Sequence, residues 1–277
     1  MSKINTTRQS EILRPTLRDA KGRHFGWVEP REQTTSRVRE MHPFSLDLSL
    51  PLPAKVDLRP FCPAVYQQGN MNTCTANAVA ALVHICRIKQ AMSEEPPPSR
   101  LYIYWFERVL TNEQTADSGG SITDAVQATV ENGYCLESLW PYVPGDLLSE
   151  PNNTAKDDAA NRRIISPASL STLQQIKASL ASKNPVAFGL RIYNSFFAAD
   201  GNGGIVPMPD QMGPCEGHAG VLVGYDDAVG RVTMRNSWGT VLADGTPCGD
   251  QGYYYLPYAY FDGSLASDFW SISSVSA

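Results

Sequence analysis

Cys74 closes the run Gln68-Gly69-Asn70-Met71-Asn72-Thr73-Cys74, where a glycine-containing loop gives way to a long segment without Gly or Pro. The first N–H groups of a helix have no partner inside it and favour negative charge. A thiolate is such a charge. At a helix N-terminus or beside an imidazolium a cysteine pKa falls from ~8.5 to roughly 3.5–7.5, which makes the sulfur nucleophilic at neutral pH. Gln68 lies six residues earlier on the same loop, so its amide N–H could point at the space beside the sulfur. A donor there holds the oxyanion of an attacked carbonyl, and removing one such donor costs ~10²–10³ in turnover.

A base for that thiol has to come from elsewhere in the chain. His218 opens one strand-like run and Asn236 ends another, with 17 residues between them. Asp226-Asp227-Ala228-Val229-Gly230 reads as a hairpin turn. Pairing residue 224 with 230 also sets 218 opposite 236 on one face of the hairpin. The Asn amide would then bond the imidazole and set its tautomer and aim. A slip of one residue would put the two side chains on opposite faces. Taken singly, each residue has a plainer reading: Cys74 as a small buried apolar group, His218 as a half-buried ring, Asn236 as a turn former, Gln68 as a solvated amide.

Those residues need a scaffold. From 75 to 91 the pattern Val79, Leu82, Val83, Cys86 marks an amphipathic helix. Further helices are expected over 101–110 and over 122–131, the latter closed by Asn132 and Gly133, while 144–163 reads as a long connection. Beyond Ile164 the pattern turns to short Val-, Ile-, Tyr- and Gly-rich runs at 186–191, 219–225, 231–236 and 253–258, with one helix at 170–182. The expected class is therefore α+β, a mainly helical part at 56–165 and a mainly β part at 166–277, preceded by an arm at 1–55. The arm lacks a sustained period but holds an apolar island, His24-Phe25-Gly26-Trp27-Val28, of the kind that docks on another surface.

The 277 residues are 42% hydrophobic and 18% charged, which excludes collagen-like, coiled-coil and wholly disordered classes. Residues 1–50 carry 9 Lys/Arg against 6 Asp/Glu, and 51–277 carry 14 against 22. A body that acidic repels a phosphate backbone, so no nucleic-acid partner is expected. No apolar leader and no stretch near 18 apolar residues is visible, which predicts no membrane partner and a cytoplasmic location by default, with signal-less secretion equally compatible. The six cysteines, Cys62, Cys74, Cys86, Cys135, Cys215 and Cys248, show no CxxC pair or metal-ligand spacing and read mostly as buried thiols. His84 reads as a boundary residue, Tyr253-Tyr254-Tyr255 as strand packing and Pro96-Pro97-Pro98 as a rigid loop.

The joint pattern resembles the papain-like cysteine peptidases over about 56–258. Val56-Asp57-Leu58-Arg59 is similar to the start of the family's mature domain, and Gln68 through Ala76 to its nucleophile loop. Gly217-His218-Ala219, Asn236-Ser237-Trp238-Gly239 and Ser118-Gly119-Gly120-Ser121 resemble its base, orienting and Gly-Gly segments. The resemblance implies a two-lobed fold, helical on one side and β-barrel-like on the other, with the site in the cleft between. It implies Cys74 as nucleophile, His218 as acid/base, Asn236 as orienter and Gln68 as oxyanion donor. Gly119, Gly120, Gly217 and Trp238 would meet substrate, with Trp238 also sheltering the Asn236–His218 bond.

There are departures from the family pattern. Asn72 stands where Gly is common, Thr75 where an aromatic residue usually follows the nucleophile, and Met71 where secreted members carry a cysteine. Cys215 lies near a position that is often disulfide-bonded, which leaves a Cys215–Cys248 bridge open. The expected activity is that of a cysteine endopeptidase working through a thioester, with a peptide or protein as substrate and no metal or organic cofactor. The arm, too short for the family's long helical pro-segment, is a candidate intramolecular inhibitor anchored by Trp27. The competing readings are a thiol-dependent transferase or deamidase, and a non-catalytic peptide-binding module.

Overall fold

The structure, a computed structural model, describes residues 22–31, 42–45, 48, 51–92, 96–263 and 265–276. In chain order the elements are β1 (Lys55–Asp57), α1 (Cys74–Lys89), α2 (Arg100–Val109), α3 (Ile122–Glu131), α4 (Asn153–Ala159), β2 (Pro167–Leu170), α5 (Leu173–Ala181), β3 (Val186–Ile192), β4 (Glu216–Asp226), β5 (Arg231–Arg235), β6 (Tyr253–Pro257) and β7 (Ala266–Ile272). Most helices begin where a side chain satisfies an orphan N–H. Ser99 accepts from the Tyr102 N–H, Ser121 from Asp124, Asn152 from Ala155 and Thr172 from Gln175. α3 stops at Asn132 because Gly133 follows at φ +72°, and a β-carbon there would sit 2.0 Å from the Ala159 carbonyl oxygen.

The strands form one antiparallel sheet in the order β2-β7-β3-β4-β5-β6, with β1 added on β4. The sheet is open: β2 and β6 lie at opposite ends of that order, so it does not close into a barrel. α1 packs on β4, β3 and β7, and α2 and α3 pack on α1. Sandwiched in this way, α1 is buried on nearly every side rather than along one stripe; only His84, Ile88 and Lys89 are partly exposed. The expected amphipathic helix is thus the centre of the molecule. Tertiary cover, not intrinsic pattern, determines how much of an apolar helix is hidden.

Three features differ from expectation. The 144–163 connection contains α4, whose inward residues are Ala155 and Ala159 against Tyr102 and Cys135. A two-turn helix with alanines as its only apolar face carries too little periodic signal to be seen. β7 was likewise unmarked because it lies between β2 and β3 and is buried on both faces, so its residues do not alternate.

The third difference is the hairpin register. Asp226 pairs with Arg231 and Gly224 with Thr233; after an irregularity between Leu222 and Gly224, Val221 pairs with Arg235. The expected pairing of 224 with 230 does not occur. The turn-proximal register alone would place 218 and 236 on opposite faces, and the bulge restores them to one face as diagonal neighbours.

Candidate active site

Cys74 is the first residue of α1, so its own N–H has no partner within the helix. The loop before it is tied to the far end of β5. Gln68 N–H donates to the Ser237 carbonyl at 2.8 Å, and Gly239 N–H donates to the Tyr66 carbonyl at 2.8 Å. The buried Gln68 amide is fixed on both sides: Ser237 Oγ donates to its Oε1 at 2.7 Å, and its Nε2 donates to the Met71 carbonyl at 2.9 Å. The remaining Nε2 hydrogen goes to the carbonyl of His24, in the arm, at 3.1 Å.

His218 and Cys74 are both fully buried. The main chain of Gly26, Ala219 and Thr75 comes close enough to the Cys74 sulfur to draw its pKa down, which places that sulfur near the residue that follows His218. His218 Nε2 lies 2.7 Å from Asn236 Oδ1. That oxygen also accepts the Ser237 N–H at 2.7 Å, so it is the amide oxygen and the imidazole proton sits on Nε2. Nδ1 is then the unprotonated nitrogen, and it is buried without a hydrogen bond. Trp238 stacks on the His218 ring at 4.3 Å between centroids and 26° between planes. It excludes water from the Asn236–His218 bond.

The arm lies across these groups. Trp27 makes a parallel bridge to Gly120; Val28 N–H donates to the Gly120 carbonyl at 2.9 Å and Gly120 N–H to the Gly26 carbonyl at 2.8 Å. On the other side Trp27 N–H donates to the Gly217 carbonyl at 3.0 Å. The fit needs bare glycines: β-carbons on Gly119 and Gly217 would lie 2.0 and 1.9 Å from arm carbonyl oxygens. Phe25 stands edge-on to Trp238 and His218 at 5.8 and 6.0 Å. Arg23 stacks its guanidinium 4.9 Å from Trp238 and 4.7 Å from Phe197, and forms a buried ion pair with Asp200. Asp200 is also held by Tyr254 OH at 2.7 Å and Gly249 N–H at 3.1 Å.

With the arm in place the site is electrically quiet. Burial pushes the Cys74 thiol up to about 12, against the backbone hydrogen bonds that pull it down. Burial likewise pushes His218 down to about 4, with the Arg23 charge adding to it and the Asn236 bond opposing it. Both the thiol and the ring are therefore neutral.

Arg23, Asp200 and Glu107 stand at no spacing that marks them in the sequence. Glu107 is buried and accepts from Thr75 Oγ1, the residue after Cys74, at 2.7 Å; lack of solvent raises its pKa well above the ordinary value. Nothing in the sequence distinguishes these residues from solvated ones. Cys215 and Cys248 are not bridged, and all six cysteines are free thiols. Cys248 donates to the Trp238 carbonyl at 3.4 Å. His84 is half-buried against Tyr66, 2.9 Å from its hydroxyl. Among the described residues no group of three or more His, Cys, Asp or Glu could hold a metal, and no helix is long and apolar enough to cross a membrane.

Residues 52–260 match the profile of the papain family of cysteine proteases. The chain belongs to that family and is a cysteine peptidase, a hydrolase. It is similar to xylellain, a cysteine protease from Xylella fastidiosa, at 33% identity and a TM-score of 0.78, over 94% of this chain and 99% of that one. It is also 34% identical over 223 residues to an uncharacterized peptidase C1-like protein of Acanthamoeba polyphaga mimivirus, over 75% of this chain and 69% of the viral one. A procathepsin B from Trypanosoma congolense shares the fold at 15% identity and a TM-score of 0.67, over 93% of this chain and 88% of that one.

Proposed function

We propose that the chain is an endopeptidase in which Cys74, His218, Asn236 and Gln68 carry the reaction. His218 Nδ1 takes the thiol proton, and the sulfur attacks the scissile carbonyl carbon. The oxyanion is held by Gln68 Nε2–H and the Cys74 N–H. Collapse breaks the C–N bond while His218 returns the proton to the leaving amine; water, deprotonated by the same ring, then hydrolyses the thioester and restores the thiol. Asn236 keeps the ring in the tautomer this needs. One observation carries the reading: the Asn236 oxygen engages Nε2 and leaves Nδ1 unprotonated and unbonded.

Residues 1–55 act on this reading as an inhibitory arm and 56–277 as the catalytic domain. Two features explain why the arm itself is not cut. The carbonyl at Gln68 belongs to His24, whereas the sulfur faces the N–H of Gly26 in the next peptide unit, so no single peptide offers its carbonyl to both. The arm also runs parallel to Gly120. The test is labelling with iodoacetamide near neutral pH, followed by a peptide-library digest, for the chain with its arm loosened by Arg23→Ala, alone and with Cys74→Ala or His218→Ala added. Modification confined to Cys74, slowed in the histidine variant and accompanied by peptide cleavage, is expected. Equally slow labelling of several cysteines, or amine incorporation without cleavage, would overturn the proposal.

A further inference from the structure

Two segments wall the site on one side: the loop that ends at Cys74, and the Gly119-Gly120 segment on which the arm docks. No disulfide joins them, since all six cysteines are free thiols. They are joined through Asp117 instead. Its carboxylate accepts the Asn72 main-chain N–H at 3.1 Å, and its main-chain carbonyl accepts the Asn72 side-chain amide at 2.8 Å. Asn72, which stands where the family commonly has glycine, thus ties its loop down with main chain and side chain at once. The hydroxyl of Tyr104, on α2, donates to the same carboxylate at 2.5 Å and accepts the Gly119 N–H at 3.0 Å. An ionised carboxylate only accepts, so the single phenol proton goes to Asp117 and the direction of both bonds is fixed. Tyr104 is fully buried, and burial beside the Asp117 charge pushes its pKa up, which keeps the hydroxyl a donor. Glu107, one turn further along α2, supports both segments a second time. A β-carbon on Gly120 would lie 2.5 Å from its Oε1, the oxygen that also takes the Thr75 hydroxyl.

The dimension this link controls is the gap between the Cys74 loop and the main chain of Gly120. The arm pairs with Gly120 through N–H···O bonds of 2.8 and 2.9 Å, and such bonds weaken steeply once a drift of about half an ångström carries them past their usual range. Gly119 has no side chain to brace the segment, and its φ of +78° lies where a glycine backbone is free to move. The bracing must come from its N–H, which is the group Tyr104 holds. We infer that Tyr104 and Asp117 are positioning residues of the peptidase: they fix Gly119-Gly120 at the distance from the Cys74 loop at which an extended peptide both pairs with Gly120 and presents a carbonyl to the sulfur. Substrates too short to reach Gly120 are indifferent to them. The inference rests on the peptidase reading above.

The test uses the full chain with its arm loosened by Arg23→Ala, and adds Tyr104→Phe, Asp117→Ala or Asp117→Asn. Two substrates are compared by kcat/KM: a long fluorogenic peptide taken from the library digest, and a nitrophenyl ester of one amino acid, which ends short of Gly120. Their ratio cancels any change in the fraction of molecules whose arm is open. Tyr104→Phe and Asp117→Ala are each expected to lower the ratio of peptide to ester about tenfold. Asp117→Asn keeps an oxygen for the Tyr104 hydroxyl and the Asn72 N–H, and should retain most of the ratio. Tyr104→Phe removes one oxygen from a buried ring and decides the matter should Asp117→Ala fail to fold. A ratio within twofold of the parent in both variants, or an equal loss on peptide and ester, overturns the positioning role and leaves the peptidase reading standing. Absent peptide cleavage together with an unreactive Cys74 in the Arg23→Ala parent overturns both.

Discussion

Replacing Arg23 by alanine tests whether the arm controls the thiol. Its guanidinium and the Asp200 carboxylate are almost wholly out of water, with side chains 1% and 5% exposed. Breaking a buried pair by removing one partner costs about 3–5 kcal/mol, since the other charge is stranded. Asp200 retains Tyr254 OH and Gly249 N–H, which puts the loss near the lower end, about 3 kcal/mol. That cost falls on the docked state alone, because an undocked arm lets water reach Asp200 in either protein. At 1.4 kcal/mol per factor of ten, the fraction of molecules with an open site rises roughly a hundredfold. The assay is the second-order rate of iodoacetamide modification at Cys74, read by mass spectrometry at pH 7. A rise of about two orders of magnitude is expected, with Arg23→Lys falling in between because it keeps the charge but loses the planar stacking on Trp238 and Phe197. A rate within twofold of the parent protein would refute the argument that docking, rather than the intrinsic thiol, limits reactivity.

Three further predictions use other contacts. Gly26→Ala sets a β-carbon 1.9 Å from the Asn72 carbonyl oxygen, a backbone atom that cannot swing aside, so Cys74 labelling is expected to rise without any change to the catalytic groups. Asn236→Ala removes the anchor of His218 Nε2, and peptide turnover should fall by about 10² while circular dichroism stays unchanged. Glu107 has a folded-state pKa raised by burial, so its protonated form is favoured in the fold; stability is fully present below about pH 4.5 and is lost as pH rises toward the folded value. Glu107→Gln should therefore raise the melting temperature at pH 8 and leave it unchanged at pH 4.

The chain announced its chemistry through short-range facts. A thiol at a helix start, a donor six residues earlier and an Asn–Ser–Trp–Gly strand end are local arrangements, and the fold ties Gln68 to Ser237 and His218 to Asn236. The helices at 100–109 and 122–131 were legible for the same reason, since capping residues and periodicity act within a few positions of one another. The register of the β4–β5 hairpin was not legible. The turn closes three residues away from the expected pairing, and only the bulge near Val223 returns His218 and Asn236 to a shared face.

Arg23, Glu107, Asp117 and Asp200 were equally silent, because the meaning of each depends on a partner far away in sequence. A surface-type arginine becomes a latch only when a carboxylate 177 positions later closes over it. An aspartate becomes a clamp only when a loop 45 positions earlier donates to it. Sequence alone determined which groups could react, since that follows from their own bonds and near neighbours. Which of them are shut off from water was decided by the folded chain, because desolvation exists only where distant segments meet.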